Sequence, residues 1–363
     1  MSSIAVYVSG HGFGHATRVI EILGELRRLD PSLGLLIRTC APRELFADGL
    51  GGAFEYRSVA LDVGVIQSDS LRVDPAATLR AHARLVGCKA ELVEGEVRAL
   101  RDRGVVLVLA DIPALAFDIS SKLGVPGVAV ANFSWDWIYR DYAGDHPWFD
   151  AMLADLSRSY SRADLLCRLP MACAMSAFRE IVDVPLVARE SAVTAAGVRD
   201  RLGLAVATRL VLLSFGGIGI SLADLPAAEP GTSYVLPSGM AVGDLPAGYT
   251  VVASSSLRKL GLRYEDLVAA ADVVMAKPGY GIVAECTANR TPMVYTSRGR
   301  FAEYPVLVEY LRSHVASVFL GNDDLRRGCW RGALAEAEAA AWPSDRPRID
   351  GAEVVAERLA ARL

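Results

Sequence analysis

The segment Gly10-His11-Gly12-Phe13-Gly14-His15-Ala16-Thr17-Arg18 gathers residues able to move a proton. It holds two of the chain's five histidines and follows the short apolar run Ile4 to Val8. Imidazole titrates near neutral pH and suits general-base work. Glycines at a strand-to-helix turn let the backbone approach a ligand and leave helix-start N–H groups facing it. Either histidine, His11 or His15, fits the base, and a helix-capping role fits His15 as well. A metal shared by the two needs one helix face, which Gly12 and Gly14 disfavour, so no metal is expected. Arg18, on the first helical turn, suits a substrate phosphate or carboxylate, or a surface ion pair.

Two further glycine turns end strand-like runs. One is Ser214-Phe215-Gly216-Gly217-Ile218-Gly219, the other Lys277-Pro278-Gly279-Tyr280-Gly281. Backbone N–H groups of Gly216, Gly217, Gly279, Tyr280 and Gly281 suit a pyrophosphate, or simply make tight connections. Lys277 offers a point charge to a phosphate or to solvent. Glu285, six residues past Gly279, accepts from paired ribose hydroxyls or stabilises the helix start as a charge. Past the run Val128 to Ala131, Asn132 precedes an aromatic group, Trp135, Trp137 and Tyr139. Such rings line a sugar pocket or fill a core, and Asp136 between them is placed to hold a sugar hydroxyl.

These turns need a scaffold of alternating strands and helices. Strand-like runs Ile4 to Val8, Leu35 to Arg38, Val105 to Ala110 and Val128 to Ala131 alternate with helical patterns such as Val19, Ile22, Leu23, Leu26 and Leu29. The stretch Asp74 to Arg103 reads as one helix or two, with Asp74 as cap, Pro75 in the first turn and Gly87 as a break. Periodicity lapses between Arg168 and Arg189, where a linker is expected. Beyond it come runs Leu210 to Leu213, Tyr249 to Ala253, Val273 to Met275, Met293 to Tyr295 and Ala316 to Phe319. At 363 residues the chain exceeds the usual size of one core. The expectation is α/β, with two Rossmann-like domains facing across a cleft: residues 1–190, residues 191–350, and a closing helix over residues 351–363.

Composition excludes several classes. Hydrophobic residues are 52% of the chain, so disorder is not expected. A net charge of −4, without a sustained basic run, argues against a nucleic-acid partner. Six cysteines without a C-x-x-C pair indicate neither a zinc site nor a disulfide framework. The first apolar run is strand-length and stops at glycine, so neither an integral membrane segment nor a leader is expected, and the location is expected to be cytoplasmic.

The pattern Gly14-His15 opening a helix, Ala110-Asp111-Ile112 ending a strand, Gly124-Val125-Pro126-Gly127-Val128, and Glu285 after a glycine turn resembles GT-B glycosyltransferases. The UDP-glycosyltransferases and the peptidoglycan N-acetylglucosaminyltransferase are the broad relatives. Gly10 to Arg18, Asn132-Phe133-Ser134-Trp135-Asp136, Arg168-Leu169-Pro170, Phe178-Arg179 and Asp183-Val184-Pro185-Leu186-Val187 resemble more specifically the glycosyltransferase-like N-terminal region of plant L-arabinokinase and its free-standing bacterial relatives. The kinase activity there belongs to a separate domain, and no G-x-x-x-x-G-K-[ST] loop is present here. It is not expected of this chain.

The resemblance implies that the second domain binds a nucleotide-sugar donor, with UDP the expected nucleotide, and the first a small-molecule or glycan acceptor. It places His15 as the base that takes the acceptor's proton and Asp111 as its partner, where a carboxylate would fix the tautomer and support the imidazolium. Asp111 as N-cap of a helix beginning at Pro113 is the alternative. Glu303 falls where the family contacts the donor sugar, although Ala302-Glu303-Tyr304 replaces the usual amide or Asp-Gln pair. The implied reaction is metal-independent inverting transfer without a cofactor. A non-catalytic nucleotide-sugar-binding or regulatory module is the alternative. An NAD-dependent dehydrogenase fails because Gly10, Gly12 and Gly14 do not meet the G-x-G-x-x-G spacing.

Overall fold

A computed structural model of the chain describes residues 2–69, 72–205, 207–215, 225–238, 245–299 and 301–363. In chain order the strands are β1 (Ser3–Val8), β2 (Gly34–Arg38), β3 (Glu55–Arg57), β4 (Gln67–Asp69), β5 (Arg72–Val73), β6 (Val105–Asp111), β7 (Gly127–Ala131), β8 (Leu165–Arg168), β9 (Ile181–Asp183), β10 (Arg209–Ser214), β11 (Thr232–Pro237), β12 (Tyr249–Val252), β13 (Val273–Ala276), β14 (Met293–Thr296) and β15 (Ser317–Leu320). The chain forms two compact units. The first comprises residues 1–66, 74–187 and 348–363, the second residues 67–73 and 188–347.

The first unit is built on a parallel sheet ordered β3-β2-β1-β6-β7-β8-β9. Every residue of β1 and β7 is buried, as expected for strands covered on both faces. Parallel pairing of β1 with β6 sets Val8 opposite Asp111. This register brings the glycine turn after β1 beside the carboxylate that ends β6. The helix Phe13–Leu29 buries Ala16, Val19, Ile22, Leu23 and Leu26 toward the sheet. Val355, Ala356 and Leu359 of the last helix, Gly351–Ala360, join that same core. Apolar burial therefore fixes the chain's final helix to the first unit.

The span 168–189 is no linker: β8 and β9 complete the first sheet and pair with each other in parallel. Pro170 and Pro185 follow these short strands closely and interrupt the pattern around them. Asp111 caps no helix, because the next one runs Leu115–Leu123 with Ala114 at its N-cap. The expected break near Gly87 is present, with helices Pro75–Gly87 and Lys89–Leu100 on either side, and the Asp74 side chain accepts from the Ala77 amide at 2.8 Å.

The second unit carries a parallel sheet ordered β12-β11-β10-β13-β14-β15 and the small antiparallel ribbon of β4 and β5. Its core packs Val211, Leu213, Val273, Met275 and Val294 with Phe215, Tyr234 and Trp330.

Candidate active site

Gly12 starts the first helix from a left-handed conformation, φ 91°, with His15 and Arg18 one turn apart on the buried face. That face meets the end of β6. His15 Nδ1 lies 2.8 Å from Asp111 Oδ1, and Asp111 is fully buried. Arg18 donates through Nε to Asp111 Oδ2, and through Nη2 to Asp111 Oδ1 at 2.6 Å. Its Nη1 reaches Asn132 Oδ1. The Asn132 amide nitrogen donates to the Pro170 carbonyl at 2.5 Å. His15, Arg18, Asp111 and Asn132, all within 9% exposure, are thus one hydrogen-bonded network.

The electrostatics follow from that geometry. Burial alone would raise the Asp111 carboxyl, but the charges and hydrogen bonds of Arg18 and His15 outweigh it and hold the group below its ordinary range. An ionised Asp111 accepts a hydrogen bond from His15 in the tautomer that carries its proton on Nδ1. Arg18 Nη2 stands 3.0 Å from that same Nδ1, so two donors converge on one carboxylate. Nε2 is left as the ring atom able to take a proton.

The backbone around Asp111 is anchored and strained. Ser9 N–H donates to the Asp111 carbonyl at 2.8 Å. Ile112, next in chain and fully buried, has φ 145°, a conformation costly for a β-branched residue. Its carbonyl accepts from the Tyr160 hydroxyl at 2.9 Å, and that hydroxyl accepts the Trp135 N–H at 3.1 Å.

Trp135 and Tyr139 pack within the first unit. Trp135 is 2% exposed and stacks on Tyr139 with ring centroids 5.5 Å apart. Phe133 meets both the His15 ring, at 5.8 Å, and the Trp135 ring, at 4.9 Å. His11 packs edge-on to Trp135 at 6.1 Å. Asp136 is buried and accepts from Ser157 at 2.9 Å. Trp135 and Asp136 are thus both buried, Trp135 among aromatic rings and Asp136 against Ser157.

Sequence reading missed Asp62. Its Oδ2 accepts from Trp135 Nε1 at 2.9 Å, and its carboxyl lies within Coulombic range of His15 and Asp111. Burial raises this carboxyl above its ordinary range, opposed by hydrogen bonds from Ser9 and Trp135. The Asp62 loop is pinned where Tyr139 donates to the Gly64 carbonyl at 2.9 Å. Gly64, at φ +70°, has no room for a Cβ because the His11 ring fills that space. A glycine two residues past an aspartate was the available signal, but nothing in spacing connects it to Trp135.

In the second unit, Gly279 is the N-cap of the helix Tyr280–Asn289, directly after β13. Lys277 precedes it, and Arg298 Nη1 donates to the Pro278 carbonyl at 3.0 Å. The Arg298 guanidinium lies 3.7 Å from the Phe301 ring centroid, and buried Glu303 precedes the helix Tyr304–His314 as its N-cap. Glu285 lies beyond the first turn of its helix, which carries no acidic residue there, so it does not serve as a helix-start charge. It is 5% exposed and its Oε1 accepts from Arg189 Nε at 2.9 Å. Arg189 also reaches Glu265 Oε2 at 3.0 Å, a partner that spacing could not reveal. Gly216 and Gly217 lie outside the described residues.

No known family profile matches the chain. The chain is 33% identical over 362 residues to L-arabinokinase from Arabidopsis thaliana, a match covering 98% of this chain and 34% of that protein. It thus spans about a third of that relative's length. Among solved structures, the calicheamicin glycosyltransferase superposes with a TM-score of 0.61 at 15% identity, covering 99% of this chain and 98% of the other. The chain has the GT-B fold. A glycosyltransferase from Streptomyces nogalater (TM-score 0.54, 17% identity, 99% of both chains) and a UDP-glucosyltransferase from Polygonum tinctorium (TM-score 0.56, 12% identity, 99% and 98%) share this GT-B architecture. No helix among the described residues is long and apolar enough to cross a membrane.

Proposed function

We propose that the chain transfers a sugar from a nucleotide donor, UDP-linked, to a hydroxyl acceptor. The observation that carries this reading is the His15 Nδ1 to Asp111 Oδ1 contact of 2.8 Å at the end of a parallel strand pair. In this reading His15 Nε2 takes the acceptor's proton as its oxygen attacks the anomeric carbon. The bond from that carbon to the diphosphate oxygen breaks, and the nucleoside diphosphate leaves with the electron pair. One displacement inverts the anomeric centre, and no metal is needed because main-chain N–H groups at the helix start after Gly279 meet the leaving charge. Asp111 fixes the His15 tautomer and supports the imidazolium, while Arg18 keeps Asp111 ionised. Glu285 holds the ribose, Lys277 the diphosphate, and Glu303 the donor sugar.

A second reading, a nucleotide-sugar-binding module without turnover, is favoured by the match to one third of a larger protein bearing a kinase name. One experiment separates them. Nucleoside diphosphates and their sugars are screened by thermal shift, and diphosphate release is then followed with an acceptor panel. Turnover lost about 10³-fold in His15→Ala supports transfer. Binding with no turnover over any acceptor supports the module, and unchanged turnover in both His15→Ala and Asp111→Asn removes His15 as the base.

A further inference from the structure

We propose that the cavity at the carboxyl ends of β8 and β9 is a saccharide subsite, built for a neutral polyhydroxylated ring. Its volume is about 410 Å³, at the lower end of small-molecule sites. Leu169, Pro170 and Val184 give it apolar walls, and Arg168 and Asp183 supply its charge. All of these belong to the first unit.

Charge decides the ligand class. Arg168 Nε donates to Asp183 Oδ1 at 2.6 Å and Nη2 donates to Oδ2 at 2.9 Å, a bidentate pair of zero net charge. This neutral pair gives an ion no net attraction, since Asp183 opposes an anion and Arg168 opposes a cation. A pair of ring hydroxyls displaces neither. One accepts from the remaining guanidinium N–H groups and the other donates to a carboxylate lone pair, while the ring's C–H face lies on the apolar wall.

Strain marks the same place. Met171 (φ 62°) and Met175 (φ 45°) flank the cavity residue Cys173, and they are two of only four left-handed non-glycine residues among the described residues. Such conformations persist where a ligand clamp is over-determined by its surroundings. The cavity also touches the proton-moving network. Pro170 lines it, and the Pro170 carbonyl accepts from Asn132, whose Oδ1 accepts from Arg18.

The role of this subsite rests on the transferase reading, in which it makes the acceptor a saccharide, but its binding does not. The test is calorimetry and thermal shift with glucose, galactose, arabinose, sucrose and glucuronate on the wild-type protein and three variants. Arg168→Met removes the donor fork, and Ala174→Trp fills the cavity from an exposed position. His15→Ala leaves the cavity intact. The expected result is a neutral sugar bound with Kd below about 10 mM, weakened about tenfold or more by each cavity variant and not by His15→Ala. Glucuronate binds at least about tenfold more weakly than glucose. No neutral sugar bound, glucuronate preferred, or binding indifferent to Ala174→Trp in a variant that melts as wild type overturns the subsite. Sugar binding with no diphosphate release under any donor overturns the transferase reading and leaves the subsite standing. Turnover without sugar binding here does the reverse.

Discussion

Two carboxylates at comparable depth, Asp111 and Glu285, are each held by an arginine, and their surroundings differ in one respect. Arg18 serves a single carboxylate and faces an imidazole, so the Asp111 charge is directed at a group that changes protonation. Arg189 is divided between Glu285 and Glu265, so its charge is spent between two anions. The first arrangement suits a proton that moves. The second suits a carboxylate that stays ionised and directional, as a ribose contact needs.

The contrast breaks most visibly in kinetics. His15→Ala lowers kcat about 10³-fold with little change in donor KM, while Glu285→Gln raises donor KM and changes kcat only a few-fold. Steady-state rates at varied donor decide it. Equal losses of kcat in both variants, with KM unmoved, would erase the distinction.

Stability separates the two carboxylates next. Asp111→Ala strands buried Arg18 without its carboxylate and costs about 3–5 kcal/mol by urea unfolding. Glu285→Ala leaves Arg189 its Glu265 partner, and about half that loss is expected. A larger loss for Glu285→Ala would show that Arg189 does not depend on Glu265.

What the sequence made legible follows the same division. The turn from Gly10 to Arg18 was readable because its glycines, histidines and following helix are consecutive, and strands buried on both faces leave continuous apolar runs such as Val105 to Ala110. The approach of Asp111 to His15 was readable only through family likeness, since 96 residues separate them. Asp62 and Arg189 were not readable at all. Their partners are set by loop geometry and by the pairing of distant elements, and neither leaves a period in the chain. β8 and β9 were lost because Pro170 and Pro185 follow them closely and break the pattern around them.

The first unit also buries titratable groups beneath its network, and this predicts a pH dependence for that unit. His82 packs between Tyr139 and Phe149, 2% exposed, near Lys89 and Asp155. Burial is the largest cause of its fall from 6.5 to about 4, which Asp155 opposes and Lys89 aids. Between these values the unfolded chain binds a proton that the folded chain refuses, so stability is lost as pH falls from 6.5 toward 4, by about 3 kcal/mol in full. His82→Phe keeps the aromatic packing and flattens the unfolding profile over that window. An unaltered slope in His82→Phe would assign the dependence to another group.

The smallest effect tests whether Asp62 belongs to the network by charge or by hydrogen bonding. Its folded carboxyl is raised above 3.8, so its contribution to stability is fully present below that value and lost as pH rises through the raised one. Asp62→Asn removes this dependence and still accepts from Trp135 Nε1, so unfolding at neutral pH changes by less than about 1 kcal/mol. Asp62→Leu leaves the indole N–H unpaired and costs about 1–3 kcal/mol. If charge were the essential property, the two variants would lose equally, and the acid limb of the turnover profile would move as far in Asp62→Asn as in Asp62→Leu. If the hydrogen bond governs, only Asp62→Leu loosens Trp135 and, through Phe133, the ring of His15.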